Sequence, residues 1–111
     1  MAWVDLIGRV LLAALFAAGA VQKALDPAAA QGLLAGSGLP EWLVWPALVV
    51  DAALAGGLVF GPRIRLWAFA GAAYCMATSV FHFIPDDGWQ MSIFVKNWAI
   101  AGGLLVLAAR A

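Results

Sequence analysis

Four long runs of apolar residues make up most of the chain, and short breaks rich in Gly, Pro and acidic residues separate them. The runs extend over about residues 3–21, 42–60, 64–84 and 92–109. A helix that crosses a bilayer needs about 20 mainly apolar residues, because the hydrocarbon core is about 30 Å thick. Gly, Pro and paired Asp after an apolar run are strong helix-stop signals. The pattern therefore predicts an all-α fold, a membrane four-helix bundle.

The segment between the first and second runs predicts a short helix that lies in the membrane interface. This segment reads PAAAQGLLAGSG, from Pro27 to Gly38. Pro at the first helical position and Gly after the last turn are typical of a helix with these ends. Because an interfacial helix buries its apolar side in the bilayer, Leu33 and Leu34 are expected to face lipid.

Composition narrows the class of protein without naming an activity. The chain has 111 residues, of which 66% are hydrophobic, so we expect one domain over residues 1–111. The formal net charge is zero, which gives no electrostatic reason to expect nucleic acid as a partner. The single cysteine, Cys75, excludes a disulfide within one chain.

The distribution of basic residues predicts the orientation in the membrane. Loops on the cytoplasmic side carry an excess of Lys and Arg. Arg63, Arg65 and Arg110 lie on one predicted side, with Arg9 nearest to that side, whereas only Lys23 and Lys96 lie on the other. We therefore expect an integral protein of a bacterial inner membrane with both termini in the cytoplasm.

Each of the four apolar runs contains an ionisable residue. Arg9 lies in the first, Asp51 in the second, His82 late in the third, and Lys96 beside Asn97 at the start of the fourth. A charge at the bilayer centre costs about 2.5–3.5 kcal/mol on insertion scales, so such residues usually pair with one another or serve a function.

The helical rise predicts a buried ion pair between Arg9 and Asp51. Arg9 lies about six residues from the cytoplasmic end of its span and Asp51 about nine, which gives depths of roughly 9 and 13 Å. A long guanidinium side chain closes such a gap. The pair has two interpretations: neutralisation of two buried charges, or a proton or ligand site.

A second polar cluster is predicted at the opposite side of the membrane. Lys23, His82, Lys96 and Asn97 all fall near that side, next to a loop with two aspartates, and are candidates for one ligand or proton site. His82 is the best candidate for proton transfer, because imidazole changes charge near neutral pH. The alternative is that the lysines extend to the headgroups and His82 is merely interfacial. A metal site is not expected, because one histidine with loop aspartates lacks the ligand set of zinc or copper.

Several short motifs occur in a fixed order along the whole chain. They are Gly8-Arg9, Ala18-Gly19, Lys23, Asp26-Pro27, Gly38-Leu39-Pro40, Asp51, Gly56-Gly57, Phe81-His82 and Lys96-Asn97. In this order the chain resembles the DoxX family of small four-helix membrane proteins. That family commonly has Glu in the second span, and the Asp51 of this chain shortens the reach toward Arg9.

The resemblance implies a redox-associated membrane protein, since the family takes its name from a subunit of a thiosulfate:quinone oxidoreductase. The matching site positions are Arg9, Lys23, Asp51, His82, Lys96 and Asn97. No cofactor is evident in the chain itself, and a quinone is the one that the resemblance suggests. The main expectation is a subunit of a quinone-linked oxidoreductase system.

Two other functions stay open. One is a non-catalytic scaffold or assembly factor, for which Gly57 and Gly61 would allow close helix contact with a partner protein or a second copy of the chain. The other is a small transporter of a lipophilic molecule. The lipid bilayer is an expected partner under all three functions.

Overall fold

A computed structural model of the protein describes all residues 1–111 and contains only helices and turns. The five α-helices are α1 (Ala2–Leu25), α2 (Pro27–Gly36), α3 (Val44–Phe60), α4 (Ile64–Ser79) and α5 (Gly88–Arg110). Two 3-10 turns, Glu41–Leu43 and Val80–His82, precede α3 and follow α4. Four segments are long and apolar enough to cross a membrane, namely α1, α3 with the turn before it (Glu41–Phe60), α4 with the turn after it (Ile64–His82), and α5. The predicted all-α class with four spanning helices is confirmed.

The chain divides into two compact units, Met1–Pro62 and Arg63–Ala111. In the first unit α1 packs along α3. The two helices run antiparallel, because Arg9 near the start of α1 contacts the last turn of α3, whereas Lys23 near the end of α1 contacts the middle of α3. The interpretation of residues 1–111 as a single domain stays a prediction.

The connection between the first two spans forms the predicted short helix, with Pro27 at its first position. Its apolar residues, however, do not all point outward. Leu34 is buried, and Leu33 is half-buried. The expectation that both face lipid is wrong for Leu34, because α2 contacts α1, α3 and the 3-10 turn before α3.

In the second unit α4 packs against α5, and the buried residues of both helices are mostly small. They are Ala68, Gly71, Ala72, Cys75 and Ser79 on α4, and Ala101, Leu104 and Ala108 on α5. Small residues let helix backbones approach closely, which is the usual way that helices associate in membranes.

The structure moves one predicted span boundary that matters for function. The fourth span begins at Gly88 rather than near residue 92, because the Asp87 side chain caps the helix. Its Oδ1 accepts hydrogen bonds from the backbone N–H groups of Trp89 and Gln90 at 3.0 and 3.2 Å. Trp89 and Gln90 therefore belong to α5 and not to a loop.

Arg63, which precedes α4, has a left-handed backbone conformation with φ 60° and ψ 51°. This conformation costs a residue other than glycine about 1–2 kcal/mol. We expect Arg63→Val to destabilise the protein by about 1–2 kcal/mol, and Arg63→Gly to leave it unchanged or slightly more stable. Thermal unfolding in detergent measures both. A Gly variant as unstable as the Val variant would contradict this explanation.

Candidate functional site

A buried ion pair joins α1 and α3 near the middle of the span. The Lys23 Nζ lies 2.6 Å from Asp51 Oδ2. The Asp51 side chain is only 5% exposed and that of Lys23 is 22% exposed. Asp51 lies ten residues after Glu41 and nine before Phe60, the ends of this span. The carboxylate thus lies deep in the span and receives its opposite charge from the neighbouring helix.

Helix geometry explains why Lys23 is the partner. Gly19, one turn before Lys23, faces the Asp51 carboxyl group so closely that a Cβ there would lie 3.1 Å from Oδ2. Side chains on a helix lean toward its N-terminus, so Lys23 extends back over Gly19 and reaches the carboxylate. The missing side chain of Gly19 leaves the room in which the pair forms.

Gly19→Ala is therefore expected to destabilise the protein by about 1 kcal/mol, since Asp51 is buried and held by Lys23 and has little freedom to move. Gly8 is the matched control on the same helix, because a Cβ at that position meets nothing within 4 Å. Gly8→Ala should be neutral or stabilising by about 0.5–1 kcal/mol through helix propensity. Equilibrium unfolding in detergent micelles compares the two, and equal effects would contradict the close contact at Gly19.

Arg9 does not pair with Asp51, so the predicted ion pair is wrong. Its Nε donates to the Leu58 carbonyl at 2.8 Å and its Nη2 to the Val59 carbonyl at 3.0 Å. Its Nη1 lies 3.6 Å from Asp5 Oδ2. Arg9 thus caps the C-terminus of α3, where a positive charge also interacts favourably with the helix dipole.

The sequence of the turn after α3 explains why this cap is needed. In a continuing helix the Leu58 carbonyl would accept from the N–H of residue 62, but Pro62 has none. Gly61 donates the last helical hydrogen bond, to the Gly57 carbonyl, and then turns into an extended conformation. The next two carbonyls are left without backbone donors, and the guanidinium group supplies both.

The position of Gly19 explains why Arg9 does not reach Asp51. Gly19 lies level with Asp51, and Arg9 precedes it by ten residues, about 15 Å along the helix. That distance exceeds the reach of a guanidinium side chain. The sequence-based depths assume that the start of α1 lies level with the end of α3, whereas Arg9 itself lies level with the last turn of α3.

In the second unit His82 is held by a residue of α5. His82 Nδ1 lies 2.6 Å from Gln90 Oε1. Both residues are half-buried. An amide oxygen only accepts hydrogen bonds, so Nδ1 donates in this contact, and in the neutral imidazole Nε2 then carries the lone pair. The imidazole is therefore oriented by Gln90, with its second nitrogen free of any hydrogen bond within the protein.

Two hydroxyl side chains at the end of α4 bond to backbone carbonyls at the point where the α-helix changes into the 3-10 turn that contains His82. Thr78 Oγ1 donates to the Tyr74 carbonyl at 2.7 Å, and Ser79 Oγ to the Met76 carbonyl at 2.6 Å. Such hydrogen bonds compete with the regular helical pattern and tend to bend helices. The chain continues as the 3-10 turn that ends at His82.

Three aromatic side chains accompany His82. Phe83 follows it in the sequence, and Phe94 and Trp98 lie on α5, about one and two turns after Gln90. The Phe83 and Phe94 ring centroids lie 5.1 Å apart with planes at 58°, and those of Phe94 and Trp98 lie 6.2 Å apart at 54°. Phe83 and Trp98 are about half exposed. We call the set of His82, Phe83, Gln90, Phe94 and Trp98 the imidazole–aromatic face.

The other residues of the predicted polar cluster occupy different positions. Successive residues of a helix are about 100° apart, so Asn97 falls on the same side of α5 as Gln90 and Phe94, whereas Lys96 falls on the opposite side. Lys96 is exposed and Asn97 is half-buried. Lys23 forms the ion pair with Asp51 in the first unit. A single pocket that contains all four predicted residues stays a prediction.

Sequence reasoning missed Gln90, the partner of His82. The residue lies outside the fourth apolar run, about residues 92–109, although Asp87 and Gln90 have the spacing of a helix-capping box, an acceptor at the N-cap and Glu or Gln three residues later. That signal predicts a helix start at Gly88. It would have placed Gln90 in the first turn of the fourth span.

Comparison with known proteins agrees with this architecture. The DoxX family model matches residues 4–84. The chain belongs to the DoxX family. It is also 31% identical over 106 residues to the inner membrane protein YqjF of Escherichia coli (strain K12), an alignment that covers 93% of this chain and 80% of that protein. No solved structure matches the chain.

The family match and the four apolar helices establish this DoxX protein as an integral membrane protein. The matched region includes the Lys23–Asp51 pair and His82. It ends before α5, so Gln90 and the aromatic residues of that helix lie outside it. The oriented imidazole is therefore a feature that the structure adds to the family match.

Proposed function

We propose that this DoxX protein is a membrane subunit of a quinone-linked oxidoreductase system and that the imidazole–aromatic face receives the quinone ring. The observation that carries the proposal is the 2.6 Å hydrogen bond between His82 and Gln90. It orients an imidazole, a group that both donates and accepts hydrogen bonds, at the end of a membrane-spanning segment.

The chemistry of the face suits a flat ring with oxygen atoms. Phe83 and Trp98 expose about half of their surface, and aromatic rings stack favourably on one another. His82 supplies one hydrogen-bonding group for a ring oxygen. Asn97, on the same side of α5 about two turns after Gln90, supplies an amide for a second polar contact.

Reduction of a quinone to its hydroquinone takes two electrons and two protons. His82 would exchange one of these protons with a ring oxygen, and water at the membrane surface would exchange the other. The electrons come from a redox cofactor or a thiol pair on a partner protein, because this chain has only one cysteine. The proposed role is therefore to hold the ring and to exchange a proton with its oxygen while a partner exchanges the electrons.

Isolated membranes test the proposal. Quinone reduction is compared between cells that lack the protein and cells that carry the wild type, His82→Ala or Ser92→Ala. Ser92 is the control because it is exposed on α5 and bonds only to the Trp89 carbonyl. We expect deletion to lower the rate of quinone reduction. His82→Ala should lower the part of that rate that depends on the protein by tenfold or more, and Ser92→Ala should preserve it. An unchanged rate after deletion would contradict the proposal.

A non-catalytic scaffold is the second candidate, and two exposed glycines favour it. A Cβ at Gly56 on α3 or at Gly102 on α5 would meet nothing within 4 Å, so a partner helix is able to approach the backbone there. The sequence pointed instead to Gly57, which is buried. A scaffold predicts that one partner protein co-purifies with the wild type and with His82→Ala, and is lost with Gly56→Leu.

A further inference from the structure

We infer that the imidazole–aromatic face binds the hydroquinone form of its ligand in preference to the oxidised quinone. The inference rests on the proposed function, and it adds which redox state of the ring the site favours. Its basis is the direction of the hydrogen bond between His82 and Gln90.

The donor and acceptor of that bond follow from the atoms that meet. Gln90 presents Oε1, which has lone pairs and no hydrogen, to His82 Nδ1 at 2.6 Å. The neutral imidazole has a single N–H, so the proton resides on Nδ1. The other ring nitrogen, Nε2, is then an acceptor and has no hydrogen bond within the protein.

The capping of α5 keeps Gln90 in this arrangement. The Gln90 backbone N–H donates to Asp87 Oδ1 at 3.2 Å, which fixes the residue in the first turn of the helix. From there its side chain reaches the 3-10 turn that carries His82. Gln90 is thus a positioning residue, because it selects the tautomer of His82 through its hydrogen bond with Nδ1.

An acceptor at Nε2 distinguishes the two redox states of a quinone. A hydroquinone has two O–H groups and donates to Nε2, whereas the oxidised quinone has only carbonyl oxygens and cannot. A carbonyl oxygen placed against Nε2 leaves two acceptors facing each other without a proton. One unmade hydrogen bond in a partly buried site corresponds to about a tenfold loss of affinity.

Ligand binding tests the inference with three probes that share one ring and one alkyl tail. Decylubiquinone, its hydroquinone and the dimethyl ether of that hydroquinone are titrated into the full-length protein in lipid nanodiscs, with Trp fluorescence as the signal. We expect the hydroquinone to bind about tenfold more tightly than the quinone. The ether should bind as weakly as the quinone, because it has the same ring without an O–H group.

Two variants of the positioning residue separate the tautomer from general damage to the site. Gln90→Glu keeps an acceptor opposite Nδ1 and should retain the preference for hydroquinone. Gln90→Leu removes that acceptor and should reduce the ratio of the two affinities toward one. Nitrogen-15 NMR of labelled His82 at mildly alkaline pH should show the proton on Nδ1 in the wild type and in Gln90→Glu, and a mixture of tautomers in Gln90→Leu.

The outcomes distinguish this inference from the proposed function. One outcome is that both ring forms bind and their binding depends on His82, but the quinone binds at least as tightly as the hydroquinone. In that case the inference is overturned and the proposed function stands. A proton found on Nε2 of the wild type also overturns the inference alone. If neither form binds, or if His82→Ala leaves the binding unchanged, both the inference and the proposed function fail.

Discussion

Lys23→Met is expected to destabilise the protein by about 3 kcal/mol, because it leaves the buried Asp51 carboxylate without an opposite charge. Asp51→Asn should cost less, about 1 kcal/mol, although it breaks the same contact. The reason is depth: Lys23 lies two residues before the end of α1 and is able to extend to the headgroups, whereas Asp51 lies near the middle of its span. Equilibrium unfolding in mixed micelles, followed by the helical circular dichroism signal, measures both.

The double variant and a surface lysine complete this test. Lys23→Met combined with Asp51→Asn should be about as stable as Asp51→Asn alone, since no unpaired charge is then left in the span. Lys96→Met is the matched control, because Lys96 is exposed and should change stability by less than about 0.5 kcal/mol. Equal losses for Lys23→Met and Lys96→Met would show that the pair does not neutralise Asp51.

Arg9→Met is expected to destabilise the protein by about 2–3 kcal/mol, because it removes the donors of the Leu58 and Val59 carbonyls. Arg9→Lys should recover part of this loss, since an ammonium group lacks the planar fork that reaches both carbonyls together. The same unfolding experiment measures these variants.

The explanation also predicts which neighbours of Arg9 matter. Asp5→Asn should be nearly neutral, because its carboxylate is half exposed and lies 3.6 Å from the guanidinium group. Pro62→Ala combined with Arg9→Met should be less harmful than Arg9→Met alone, because residue 62 then has an N–H for the Leu58 carbonyl. A double variant no more stable than Arg9→Met would contradict the proposed reason for the cap.

The positions of the spans were predictable from sequence, whereas the partners of their charges were not. Apolar runs of about 20 residues have few alternatives in a membrane, so the four helices follow directly from the pattern. The partner of Asp51 depends on the register of α1 against α3, and Gly19 sets the register at that level. Arg9 and Lys23 lie 14 residues apart on α1, about four helical turns, so the register decides which of them reaches Asp51, and no single-sequence pattern fixes it.

At the candidate site, too, the sequence predicted the residue His82 but not its partner. The residue itself was identified because an imidazole in an apolar span is unusual. Its orientation depends on Gln90, and that assignment needed the helix start at Gly88, which the Asp87 cap signals. Lys96 and Gln90 are assigned to opposite sides of α5 only when the helix is known to include both residues.

Native mass spectrometry of the protein in native-lipid nanodiscs tests the central claim most directly. The wild type, His82→Ala and the Ser92→Ala control are purified in the same way, and the bound lipophilic molecules are identified by mass. The account predicts a quinone or hydroquinone on the wild type and on Ser92→Ala, and its loss from His82→Ala. A wild type that carries neither, or a quinone that stays bound to His82→Ala, would contradict the assignment of the imidazole–aromatic face as a quinone site.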